Sequence, residues 1–447
     1  MIARARAAAL LAVLIALLGP ALACAAENGH VDPIARVVLH LAVILVAAKL
    51  GGEVAMRLGQ PSVLGELVVG VVLGNLGLLG YPALDAMKDD AALDVLARLG
   101  VVILLFQVGL ESTVRQMLQV GLSSLLVAVL GVAAPFGLGW LVGMALVPQG
   151  GPYLHAFLGA TLTATSVGIT ARVLQDLGRS RSPEARIILG AAVIDDVLGL
   201  VILAVVSGVI AAAARGGAVS GLEVLGIVGK AAAFLVGSLA LGVVLSPRLF
   251  HLASRLQTRG ALLATGLVFC FFLSWLAAAV GLAPIVGAFA AGLVLEDVHY
   301  RDFVDRGEHA LGELVEPIAG FLVPIFFVVM GMRTELRAFA DASILGLAAA
   351  LTFAAVAGKQ ACALGVLGRG LDRLSVGIGM IPRGEVGLIF ANIGVGLQVS
   401  GRPVLSPALY SAIVIVVVAT TLVTPPALRW SLGRPRGETH RSATVAR

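Results

Sequence analysis

The sequence predicts an all-α polytopic membrane fold of about thirteen transmembrane helices after a signal-like segment. It further predicts two inverted-topology six-helix repeats with crossed broken helices. Three observations carry this. First, 59% of the 447 residues are hydrophobic and 13% are charged, whereas soluble domains carry about 25% charged residues. Such a chain cannot coat a water-facing surface, which excludes a soluble enzyme, a disordered protein and a nucleic-acid module. Second, the apolar residues fall in runs of about 20, the length at which a helix crosses a bilayer. A membrane barrel would instead show alternating segments of about ten. Third, Pro61-Ser-Val-Leu-Gly65-Glu-Leu-Val-Val-Gly70-Val-Val-Leu73 resembles Pro284-Ile-Val-Gly287-Ala-Phe-Ala-Ala-Gly292-Leu-Val-Leu295.

Taken in order, Arg4 and Arg6, the apolar run Ala7–Leu18, Gly19-Pro20 and small residues to Ala26 have the layout of a signal peptide over residues 1–26. Spans are then expected at 34–56, 62–80, 92–111, 117–147, 153–175, 185–213, 222–246, 258–280, 283–296, 312–332, 342–367, 374–398 and 406–431. Together they make a membrane domain over 34–432. Its first repeat covers about 34–213, its linker helix 222–246 and its second repeat about 258–431, and 433–447 form a short tail. With the mature N-terminus outside, 19 Lys and Arg fall on the inner side and 7 on the outer, the bias of the positive-inside rule. The expected location is the inner (plasma) membrane, with the C-terminus cytoplasmic. Only 17 residues (447 − 430) follow Trp430, so no nucleotide-driven domain and no cofactor is expected.

The repeat sets the topology. Gly65 and Gly287, Gly70 and Gly292, Leu73 and Leu295, and Gly109 and Gly331 all stand 222 residues apart. Ser166-Val-Gly-Ile-Thr170 resembles Glu385-Val-Gly-Leu-Ile389 at an offset of 219. Span two pairs with nine, three with ten and five with twelve. Each mate lies seven spans later, and an odd step makes the second copy enter from the opposite side. Secondary transporters are commonly built this way, with sites near mid-membrane on broken helices.

Charges inside spans cost roughly 2.5–3.5 kcal/mol each at a helix centre. Asp195 and Asp196 lie in span six, Lys359 in span eleven, and Arg383 and Glu385 in span twelve. Neighbouring helical residues point about 100° apart, so one aspartate can pair with Lys359 while the other faces water. That second carboxylate offers hard oxygen ligands to a small cation or accepts a proton. It cannot hold both, because protonation removes the charge the cation needs. Such competition suffices for exchange; a static buried ion network is the alternative. Pro382 and Gly384 predict that span twelve unwinds near 382–384. Its mate, Thr163-Ala-Thr165-Ser166-Val-Gly168, supplies hydroxyls and glycine for a second break. Arg383 and Glu385 are placed to neutralise the helix ends exposed there. Glu66 and Glu111 are read as interface or packing groups, Lys230 as snorkelling, and the glycine series as close helix contacts.

The Ile-Asp195-Asp196-Val-Leu-Gly-Leu stretch, with Thr163-Ala-Thr-Ser-Val-Gly-Ile-Thr-Ala-Arg172, resembles the monovalent cation:proton antiporter-2 family of bacterial sodium/proton antiporters. Met380-Ile-Pro-Arg-Gly-Glu-Val-Gly-Leu388 and Gly358-Lys359 resemble further motifs of that family. The similarity runs from about Ala35 to Ala427. It implies a homodimer whose protomers each hold a dimerisation domain and a mobile six-helix core containing spans five and twelve. It also implies that Asp196 is the principal cation- and proton-binding residue, that Asp195 pairs with Lys359, and that Thr165 and Ser166 contribute near the crossing. The expected partners are H⁺, Na⁺ (or Li⁺ or K⁺) bound at Asp196, and the lipid bilayer. A K⁺/H⁺ antiporter, a Na⁺-coupled organic-anion symporter on the same architecture and a non-transporting scaffold are the alternatives.

Overall fold

The computed structural model describes residues 33–79, 82–111, 121–177, 179, 182–214, 221–255, 258, 260–295, 309–367, 370–399 and 402–434. The signal-like segment, most of the charged loop 296–313 and the chain beyond Arg434 lie outside the described residues.

Eleven of the expected spans form continuous helices. They are α1 (Pro33–Arg57), α2 (Ser62–Gly74), α3 (Ala91–Glu111), α4 (Leu122–Leu146), α7 (Pro183–Ala213), α8 (Gly221–Ser254), α9 (Ala261–Ala279), α10 (Pro284–Val294), α11 (Leu311–Met332), α12 (Ala342–Ala361) and α15 (Pro407–Leu432). The other two are broken. Span five is α5 (Gly151–Thr161) and α6 (Val167–Asp176), and span twelve is α13 (Arg373–Gly379) and α14 (Glu385–Gly396). A short hairpin pairs Gln398–Val399 with Arg402–Pro403. Among the described residues, nine helices are long and apolar enough to cross a membrane, and α2, α10 and part of α14 are shorter apolar helices. The protein is a multi-pass membrane protein.

Two boundaries differ from expectation, each for a local reason. Span two stops at Gly74 because the Asn75 side chain bonds backbone instead of letting the helix run on: Nδ2 donates to the carbonyls of Val71 and Thr334, both at 2.8 Å. Span seven runs past 246 to Ser254 through Pro247. A proline deletes one helical bond without always ending the helix, and the buried Phe250 and Ala253 extend the apolar face beyond it.

The helices sort into two bundles. A frame packs α1, α2, α3, α9, α10 and α11, with α8 against α9 and α10. A core packs α4 against α5, α7 and α12, and α15 against α6, α12, α13 and α14. α8 also runs along α7, joining the two. Glycines set the frame spacing. A Cβ on Gly70 would strike the Val328 carbonyl and the Cα of Gly331, while one on Gly292 would strike the Phe106 carbonyl and the backbone of Gly109. Adding 222 to Gly70 and Gly109 gives Gly292 and Gly331. The two contacts therefore exchange under the sequence offset, as a two-fold axis would exchange them. The α1·α2 contact of Gly51 with Gly65 maps in the same way onto the α9·α10 contact of Leu273 with Gly287.

Candidate functional site

α7 starts cleanly because Ser182 caps it, its hydroxyl accepting from the Ala185 amide at 3.1 Å, with Pro183 at the first turn. Asp195 and Asp196 follow near the middle of its 31 residues. α12 brings Lys359 alongside. Gly131 of α4 lies beside the amine: a Cβ there would sit 3.5 Å from Lys359 Nζ, an ordinary contact. Nζ donates to both oxygens of Asp195, at 3.0 and 3.1 Å, with both side chains 0% exposed. Asp196, one residue on and turned away, retains 8% exposure. The two carboxylates therefore have unequal surroundings. One lies against an amine, and the other makes no bond to that amine and keeps 8% of its surface exposed.

Each helix break satisfies the other. α5 ends with its own hydroxyls on its last carbonyls, Thr161 Oγ1 to Leu158 and Thr163 Oγ1 to Ala160, both at 2.8 Å. Across the crossing, the Ser166 amide donates to the Pro382 carbonyl at 2.8 Å, Thr165 Oγ1 to Met380 at 3.2 Å and Thr170 Oγ1 to Gly379 at 2.6 Å. In the reverse direction Arg383 Nη1 donates to the Ala164 carbonyl, placing a cation beside the C-terminal, electronegative end of α5. No other residue type would fit at Gly384 undisturbed, since a Cβ would lie 2.6 Å from Ser166 Oγ. α7 touches the crossing through Gly199, one turn beyond the aspartates, where a Cβ would lie 3.9 Å from Thr163 Oγ1.

The sequence-derived residues thus meet as follows. Asp195 and Lys359 pair directly. Thr165 and Ser166 bond the opposite break. Arg383 is 1% exposed and, among the described residues, its Nε and Nη2 find no hydrogen-bond acceptor. Asp195 acts electrostatically on both Lys359 and Arg383. Glu385 is the first residue of α14, and its side chain lies outside the described part. Thr170 and Thr421, whose hydroxyl reaches the Arg383 carbonyl at 3.4 Å, escaped the sequence reading because a lone threonine in an apolar span carries no pattern. Glu66, expected as an interface or packing group, is 7% exposed.

The seam between frame and core differs at its two ends. Where α3 begins and α11 ends, it is fastened. Arg333 bonds Asp94 of α3 at 2.7 Å and Asn392 of α14 at 3.2 Å, and the Tyr410 hydroxyl donates to the Met330 carbonyl at 2.9 Å. Where α2 and α11 begin, it is hollow. Beside it, within the frame, a cavity of about 610 Å³ opens between α1, α2, α3 and α11. It adjoins one of about 230 Å³ that reaches Ser166 and Gly384, both being lined by Val63, Leu104 and Val323.

Residues 41–432 match the family of sodium/hydrogen exchanger transmembrane domains. The chain is 39% identical over 454 residues to the high-affinity Na(+)/H(+) antiporter NhaS3 of Synechocystis sp., covering 92% of this chain and 94% of that one. It is 35% identical over 399 residues to the Na(+)/H(+)-K(+) antiporter GerN of Bacillus cereus, covering 88% and 96%. The fold is similar to that of the sodium proton antiporter MjNhaP1 from Methanocaldococcus jannaschii at pH 8, with a TM-score of 0.66 at 16% identity over 89% of this chain and 98% of that one. With its fold and most of its length accounted for in this way, the chain belongs to the sodium/hydrogen exchanger family.

Proposed function

We propose that the protein exchanges a monovalent cation, Na⁺ first, for protons, with Asp196 alternately binding the cation and a proton. The observation that carries this is the unequal pair on α7: Lys359 takes up the charge of Asp195, while Asp196 beside it keeps partial exposure. A carboxylate so placed, near oxygen-rich broken helices, binds a hard cation when ionised and releases it when protonated. Thr165 and Ser166 support the crossing next to it, and Arg383 with Glu385 compensates charge there.

The six-span core (α4–α7 and α12–α15) moves against the frame to expose the site to either side, and the frame is the surface through which two copies pair. The exchanged glycine contacts support an inverted repeat, with the first copy over about 34–213 and the second over about 258–431. The charge bias of 19 to 7 supports a cytoplasmic C-terminus in the inner membrane. It puts the hollow end of the seam on the cytoplasmic side and the Arg333 fastening outside. Because GerN is described as a Na(+)/H(+)-K(+) antiporter, K⁺ and Li⁺ belong in the same assay. In proteoliposomes, an inward Na⁺ gradient is expected to drive protons out, and K⁺ and Li⁺ rank the selectivity. A cation flux that leaves internal pH unchanged would overturn the proposal.

A further inference from the structure

One buried charge takes no part in the site described above. Glu66 lies on α2 in the frame, is 7% exposed and, among the described residues, makes no hydrogen bond or ion pair. Burying a carboxylate without a partner is costly, and Glu66 opens into the cavity of about 610 Å³. The charged groups facing it there are Lys49 of α1 and Glu313 and Glu316 of α11, with Gln107 of α3 and Ser62 adding neutral polar groups. His309 holds Glu313 at 3.0 Å. Three carboxyl groups thus face one ammonium in the lining. Lys49 acts on Glu66 through its field without pairing with it, and its side chain is exposed. The cavity continues past Val63, Leu104 and Val323 to Ser166 and Gly384 at the crossing. The position 222 residues after Glu66 is Ala288, 0% exposed, so the second repeat carries no such acid at the opposite end.

Resting on the exchange reading, we infer that this cavity is a one-sided antechamber in which Glu66 holds a hydrated monovalent cation on its way to the crossing. It concentrates small cations at one face of the membrane and has no counterpart at the other. It serves Na⁺ and H⁺ alike, because the potential of its charges acts equally on every monovalent cation. The half-saturating concentrations of both ions at that face therefore scale by a common factor.

The test compares everted and right-side-out vesicles, with NaCl replaced isosmotically by choline chloride. In everted vesicles, where the cavity faces the medium, Glu66→Gln is expected to raise the Na⁺ KM about tenfold, the lower end of what a charged cleft achieves. The half-maximal pH at that face moves down by the matching unit. Glu66→Asp restores most of the effect, Lys49→Ala shifts both quantities the opposite way, and high ionic strength shrinks every shift. Right-side-out vesicles are expected to show unchanged values. Equal shifts at both faces, no shift, or a loss of maximal rate alone would overturn the antechamber while leaving exchange standing. Absence of Na⁺-driven proton movement in the unsubstituted protein would instead overturn the exchange reading beneath it.

Discussion

The frame and the core solve the same problem, helix contact inside a bilayer, in opposite ways. The frame brings helices to backbone contact through Gly70, Gly331, Gly109 and Gly292 and keeps every helix whole. The core breaks two helices and repairs the loss across the crossing, with Ser166, Thr165, Thr170 and Arg383 serving carbonyls of the opposite segment. It also buries Asp195, Asp196, Lys359 and Arg383. Broken backbone and buried charge are expensive in a membrane, and the core holds both helix breaks together with four of the buried charges. In the proposed exchange cycle, the close glycine contacts belong to the part that stays still.

Substitutions in the two bundles should therefore fail differently, and the largest effect belongs to the core. Asp196→Asn is expected to abolish cation-driven proton flux while thermal unfolding and purification yield stay close to those of the parent; retained flux would remove Asp196 from its role. Lys359→Ala strands Asp195 as a buried, unpaired charge, and breaking such a pair costs about 3–5 kcal/mol. A clear fall in Tm is expected, together with an altered pH profile, and adding Asp195→Asn should recover much of the stability. In the frame, Gly292→Val forces a side chain against the Phe106 carbonyl. Overpacking of about 1–3 kcal/mol or more should lower Tm and yield, while cation selectivity in the surviving fraction is unchanged. A selectivity change there would mean that the frame is not passive. Gly384→Ala meets both Oγ and Cβ of Ser166, at 2.6 and 2.8 Å, so the crossing must shift, and a slower maximal rate is expected together with a fall in Tm. The smallest effect is that of Thr170→Val, which leaves the Gly379 carbonyl without its donor; about 1–3 kcal/mol is the usual cost for a buried acceptor, readable as a modest Tm shift.

Much of this was legible in the residues because membrane helices leave few choices. Runs of apolar sequence located the thirteen segments, and Pro382 with Gly384 located the second break, which spans 380–384 between α13 and α14. Asp195 and Asp196, adjacent on a helix, cannot face one partner, and Lys359 does take one of them. Other features depend on which faces meet, and one-dimensional sequence does not carry that. Glu66 lies within one turn of the start of α2 and reads as an interfacial acid; only the packing of α1, α3 and α11 around it encloses it. The end of α2 at Gly74 depends on Asn75 reaching Thr334, 259 residues away. Thr170 matters because of a crossing that brings together segments more than 200 residues apart, and Thr421 because α15 packs against the second break.

The central claim is that Asp196 holds either a cation or a proton and never both. Calorimetric Na⁺ titration of the purified protein, in buffers of different ionisation enthalpy, tests it most directly by counting protons released on binding. Proton release that accompanies Na⁺ binding, and that disappears together with binding in Asp196→Asn, is the result expected. Na⁺ binding with no proton released, or binding and release undiminished in Asp196→Asn, would contradict it.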